Sequence, residues 1–179
     1  MNKSKGETLK ILKRKGFNVP DLKLINLKDY KKFNQKKTFE ICKYFKGAKI
    51  AIRSSSKDED TSKSSMAGKY NSVLNVNSNN IKAVQSAIKE VIKSYKKESN
   101  QNQVIFQKMV KNVKYSGVCT TIDTHNYLPI IKINFTEDQD TTLITSGKTN
   151  KSRTINIFEK KNFYKKNNLF KKIIDIIKK

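Results

Sequence analysis

Tryptophan is absent from these 179 residues, and arginine, cysteine, proline and histidine are scarce: three, two, two and one. Two cysteines, Cys42 and Cys119, cannot build a disulfide framework and match no metal-ligand spacing, so both read as reduced core thiols. One histidine, His125, has no nucleophile and acid arranged around it in the chain. It reads as a structural or surface residue rather than a catalytic one. No apolar run approaches the ~18 to 20 residues of a membrane span, and the start of the chain lacks the apolar stretch of a signal peptide. The protein is therefore expected to be cytoplasmic, with no membrane partner.

Acidic residues are also few, 15 against 39 lysines and arginines, giving a net charge of +24. Such a charge invites a nucleic-acid reading, because basic side chains neutralise phosphates and release counterions. Its distribution argues otherwise. Positions 1–49 carry fifteen basic and four acidic residues and positions 159–179 eight and two, whereas positions 51–81 carry only four and three. Lysine also outnumbers arginine 36 to 3, although bidentate recognition of phosphate or bases favours the arginine fork. The charge is read as mostly compositional, on solvated faces. A non-enzymatic basic module binding nucleic acid or another polyanion stands as the alternative function.

What is present is periodic. Hydrophobic residues make up 36% of the chain and fall in regular runs, against disorder. Ser4 to Glu7 has the S-x-x-E spacing of a capping box, and Gly16 is placed to end the helix that follows. "FNVPDLKLI" reads as extended, and residues 27–45 as an untidy helix. "KIAIR" and "YNSVLNV" read as strands. Ile81, Val84, Ile88, Val91, Ile92 and Tyr95 mark the clearest amphipathic helix. After the polar stretch "KKESNQNQ", taken as a linker, strands dominate: "VIFQKMV", "YSGVCTTID", "LPIIKINF", "TTLIT" and "RTINIF", before a last helix "NNLFKKIIDIIKK". The fold class is α+β, in two lobes, 1–100 and 101–179.

The stretch "IAIRSSSKDEDTSKSSMAGKYNSVLNV" differs from its surroundings. A strand delivers Arg53 to a loop holding Ser54, Ser55, Ser56, Ser64, Ser65, Met66, Ala67 and Gly68. Small residues let backbone N–H groups approach an anion, and arginine offers a rigid fork for phosphate oxygens. A polar hairpin loop with an incidental arginine accounts for the same residues equally well, since the pattern is neither a Walker A nor a G-x-G-x-x-G loop. The acidic run Asp58, Glu59, Asp60 reads as solvated loop rather than as a metal site.

In register, that stretch resembles the signature V-R-S-S-A-x-x-E-D-x-x-x-x-S-F-A-G-x-x-x-T-x-L-N-V of the ATP/AMP-binding domain of pyruvate phosphate dikinase and phosphoenolpyruvate synthase. "NKSKGETLKILKRKGFNVPD", "VIFQKMV", "YSGVCTTIDTHN" and "LITSGKT" resemble further segments of the family in the same order. The resemblance implies an ATP-grasp-like architecture, with ATP between two α+β lobes. It implies that Lys5 meets the nucleotide phosphates, that Arg53 grips them with Ser54 at its side, and that the Ser64–Gly68 loop, through Ser65, Ala67 and Gly68, covers them. Gln107, Met109 and Val110 fall where backbone groups read the adenine edge, and Gly117 on a strand lining the pocket.

The departures also carry expectations. Lys3 and Ser4 replace the first glycines of G-G-K-G, the proline of F-T-x-D-P is lost at Thr124, and Thr142 stands where the family has a glutamate. The chain stops at Lys179, before the D-I-E and L-Q-x-R-P elements whose carboxylates hold Mg²⁺, and without the phosphohistidine and pyruvate-binding domains. The resemblance thus implies ATP and Mg²⁺ as cofactors, a second lobe that is incomplete, and metal ligands supplied by a downstream segment or a separate chain. Phosphoryl transfer is mostly positioning and charge neutralisation, so transfer by these residues alone is expected to be poor.

Overall fold

The computed structural model describes residues 3–56, 60–61, 64–65, 71–95, 99, 101–123, 127–138, 152–158 and 168–177. They form two compact units, divided after Val110.

The first unit begins with helix α1 (Lys5–Arg14). Its capping box is complete: the Ser4 hydroxyl accepts from the Glu7 amide, and the Glu7 carboxylate accepts from the Ser4 amide at 2.9 Å. At the other end Gly16 takes φ 78°, a left-handed conformation that favours glycine, and the Phe17 amide turns back to the Leu12 carbonyl. Strand β1 (Leu22–Asn26), helix α2 (Leu27–Phe45) and strand β2 (Lys49–Ser55) follow. Two short strands, β3 (Asp60–Thr61) and β4 (Ser64–Ser65), pair with each other. Strand β5 (Ser72–Asn77), helix α3 (Ile81–Lys93) and strand β6 (Gln103–Lys108) complete the unit.

The main sheet has the order β1-β6-β2-β5, antiparallel throughout. Strand alternation sorts its side chains. Ile50 and Ile52 of β2, Val104 and Phe106 of β6 and Ile25 of β1 turn to one face and pack with Ile41, Phe45, Val84, Ile88 and Val91 of α2 and α3. Burying side chains of this kind stabilises by about 1.5–3 kcal/mol each before the entropy of ordering them is counted. Asn80 caps α3 by accepting from the Ala83 amide at 3.0 Å. Beside β2, strand β5 carries a bulge: Ile50 pairs with Val76 and Ile52 with Val73, so Leu74 and Asn75 together oppose Ala51. Asn75 takes φ 59° there.

The second unit is a three-stranded antiparallel sheet, β7 (Ser116–Thr120), β8 (Ile130–Thr136) and β9 (Arg153–Phe158), in that order, with helix α4 (Asn168–Ile177). Ile133, Phe135 and Ile157 of the sheet pack against Ile174, with the Phe135 and Phe170 rings edge to face at 5.8 Å.

Mixed helix and sheet is the expected α+β class. Three sequence expectations need correction. "KKESNQNQ" is not linker to its end: Asn102 is buried and Gln103 opens β6. Strand β6, placed in the second lobe by the division at residue 100, lies between β1 and β2 in the first unit, because its apolar alternation completes that core. Cys42 is buried as expected, but Cys119 is exposed on β7, an edge strand. "TTLIT" and His125 lie outside the described residues.

Candidate functional site

The second face of the first sheet carries the motif chemistry. The pairs Arg53–Ile105, Ser55–Gln103, Ala51–Gln107 and Leu24–Ile105 put these side chains opposite the apolar core. Helix α1 lies on this face. The Gly6 amide donates to the Ser55 hydroxyl at 2.9 Å, and a Cβ at Gly6 would stand 2.6 Å from Leu24 Cδ2. The first turn of α1, where Lys5 sits, is thus fixed to the strand residue two places beyond Arg53. Arg53 is half-buried and pairs with no acid among the described residues, whereas Arg153 meets Glu137 at 3.2 Å.

Further hydrogen bonds tie this corner together. The Ser4 hydroxyl donates to Gln103 Oε1 at 3.0 Å, and Gln103 Nε2 donates to Asn26 Oδ1 at 3.2 Å. The Tyr95 hydroxyl accepts the Ser55 amide at 2.9 Å and donates to the Gln103 carbonyl. Ser4 and Ser55 are almost wholly inaccessible, so their polar groups depend on these partners.

Of the sequence-predicted site residues, the structure brings together the α1 start with Lys5, Arg53 and Gln107 on one sheet face. Ser54 it does not: the hydroxyl side of that residue alternates with Arg53, toward α2 and α3, and Ser55 occupies the Arg53 side. The Met109 amide donates to the Lys49 carbonyl at 2.9 Å, so it is committed to the sheet end, while Val110 is exposed. Ser65 pairs with Asp60 through the backbone; Met66, Ala67, Gly68 and Thr142 lie outside the described residues. Gly117 has a local reason to be glycine, since a Cβ would stand 2.4 Å from the Asn134 carbonyl oxygen of the neighbouring strand. Near it, Ser116 Oγ and Asn134 Oδ1 are buried and make no hydrogen bond among the described residues. A polar atom left so costs about 1–3 kcal/mol.

Sequence reasoning missed Ser55, Tyr95 and Gln103 as a set. Strand parity could have found Ser55, since period two puts it with Arg53. A groove of about 410 Å³ between β1 and α2, lined by Lys23, Lys37, Glu40 and Tyr44 among others, includes none of the predicted site residues. Its cations are engaged already, Lys23 over the Tyr44 ring and Lys37 with Glu40. Among the described residues no group of three His, Cys, Asp or Glu could hold a metal ion, so no Mg²⁺ ligand set is assigned to them.

Residues 27–149 match the family described as pyruvate phosphate dikinase, AMP/ATP-binding domain. The chain belongs to that family. The match covers β2, the arginine, the loop after it and the strands through β8, and begins after α1 and β1. Comparison with curated proteins finds no match. Membership in the pyruvate phosphate dikinase AMP/ATP-binding family fits the mixed helix and sheet of the chain, and no helix among the described residues is long and apolar enough to cross a membrane.

Proposed function

We propose that this chain binds ATP through its phosphates, as the nucleotide-binding part of a phosphotransferase of the phosphoenolpyruvate synthase and pyruvate phosphate dikinase kind. The observation that carries the proposal is Arg53, half-buried, without an acidic partner among the described residues, on the sheet face where α1 begins. A guanidinium held in a partly desolvated place attracts a phosphate more strongly than one in open water. Lys5, at the first position of α1, supplies a second and more mobile charge. The family resemblance assigns the Ser64–Gly68 segment to the phosphates, and the carbonyl of Met109 with the backbone of Val110 to the adenine edge. This arrangement is of ATP-grasp type. Mg²⁺ would neutralise phosphate charge there, with carboxylates from a downstream segment or separate chain.

The test is ATP binding by the full chain, followed by calorimetry and by the melting temperature, with and without Mg²⁺. Wild type should be stabilised by ATP. Arg53→Ala should weaken binding at least about tenfold, the loss expected for a charge-assisted hydrogen bond, and Arg53→Lys should recover part of it. An unchanged melting temperature at saturating ATP refutes the nucleotide site. Salt-sensitive binding to arbitrary DNA that ignores Arg53 would favour the polyanion reading instead.

A further inference from the structure

Three hydrogen bonds around Ser55 join parts far apart in the chain, Gly6 to Ser55, Ser55 to Tyr95 just after α3, and Ser4 to Gln103 at the start of β6, and a fourth links Tyr95 to Gln103. The free amides of a helix start are commonly offered to an anion. In α1 two of them are already satisfied by the protein, Gly6 by Ser55 and Glu7 by Ser4. The first turn is therefore held as a structural part, and it fixes the Cα from which the Lys5 side chain starts. A lysine stem has several rotatable bonds, so where its charge acts depends on where its Cα is fixed.

We infer that Ser55, Tyr95 and Gln103 are positioning residues that fix the Lys5 backbone relative to Arg53, and so set the affinity for the phosphates rather than for the nucleoside. The inference rests on the proposed ATP site. Ser55 is the keystone. Its hydroxyl accepts from α1, its amide is held by the Tyr95 hydroxyl, and it follows Arg53 by two residues on one strand face. Tyr95 in turn donates to the Gln103 carbonyl, while the Gln103 side chain grips the α1 cap at Ser4 and the α2 cap at Asn26. Loss of one bond frees α1 to shift by a fraction of an ångström, and misplacement on that scale is enough to weaken a fixed-geometry interaction.

The test compares ATP with adenosine on the full chain, by calorimetry, for Ser55→Ala, Tyr95→Phe and Gln103→Ala, each also in a Lys5→Ala background. Gln103→Ala is included because its side chain is only half-buried, so it should fold where the Ser55 variant does not; circular dichroism establishes folding for each. Each folded variant should lose roughly five- to thirtyfold in ATP affinity, the range of one or two hydrogen bonds, with adenosine affinity unchanged within about twofold. In the Lys5→Ala background the further loss should vanish. Folded variants that keep wild-type ATP affinity, lose adenosine equally, or lose as much again without Lys5 overturn the positioning role and leave the site standing. Wild type that binds adenosine and ATP equally overturns both.

Discussion

The Gly6 amide and the Ser55 hydroxyl meet at 2.9 Å, joining the first turn of the chain to the strand that carries the motif arginine. The contact favours glycine. A Cβ at residue 6 would stand 2.6 Å from Leu24 Cδ2 and 3.2 Å from Ser55 Oγ. Because Leu24 presents the end of a flexible side chain, it can rotate away, and alanine gains about 0.8–1 kcal/mol of helix propensity over glycine. Overpacking costs about 1–3 kcal/mol in return. Gly6→Ala should thus lower unfolding free energy by only about 0–2 kcal/mol, while reducing the ATP-induced rise in melting temperature far more. A variant more stable than wild type with its full ATP response contradicts this packing account.

Asn75 offers a test in which two propensities oppose each other. As an exposed strand residue it should welcome valine by up to about 1 kcal/mol on β-propensity alone. Its φ of 59° at the bulge argues the opposite, since the left-handed region costs an L-residue with a branched Cβ about 1–2 kcal/mol or more. Asparagine tolerates that region and glycine does so freely. Denaturant unfolding should therefore find Asn75→Val destabilised by about 1–2 kcal/mol and Asn75→Gly within about 0.5 kcal/mol of wild type. A stabilised valine variant would show that the bulge yields to the side chain. The asparagine of the L-N-V element thereby acquires a backbone reason.

Elements decided by nearby residues were legible. The α1 cap, the α3 stripe from Val84 to Val91 and the β2 run were plain, because capping and periodicity act over one or two turns. Pairings between distant residues were less so. Nothing local says that β6 enters the sheet between β1 and β2, and Gln103, which closes a corner of four elements, looks like the end of a polar linker. The site was half legible. R-S-S suggests that Arg53 works with its neighbour Ser54, but a strand sends neighbours to opposite faces, and it is Ser55 that shares the Arg53 face.

The thiols should separate by reactivity. Cys42 is buried and Cys119 exposed, and partial burial pushes both above the usual thiol range. For Cys119 residue exposure and a raised pKa point in different directions. Exposure decides whether reagent reaches the sulfur, and the pKa decides how much thiolate is there to react. At pH 8, one thiol should react with an aromatic disulfide reagent in the native protein, slowly for an exposed cysteine and faster as pH rises. The second should appear only on unfolding. Cys119→Ser should remove the native reaction; its persistence would transfer the reactive role to Cys42.

Lys13 and Asp21 form an exposed ion pair between the end of α1 and the start of β1. The pair raises the lysine pKa and lowers that of the aspartate, each chiefly through their hydrogen bond. The signs give two windows. The depressed carboxylate contributes stability that is present above its unfolded pKa of about 3.9 and lost as pH falls through the lower folded value. The raised ammonium contributes stability present below its unfolded pKa of about 10.4 and lost as pH rises through the higher folded one. Between about pH 5 and pH 9 the pair should therefore add no pH dependence. Solvent and salt screen it, so its effect at neutral pH should be small. Asp21→Asn should leave the melting temperature at pH 7 nearly unchanged, and the melting curves of variant and wild type should converge further below about pH 4. A large neutral-pH loss that survives 1 M salt would instead assign Asp21 a role in the α1–β1 connection beyond its charge.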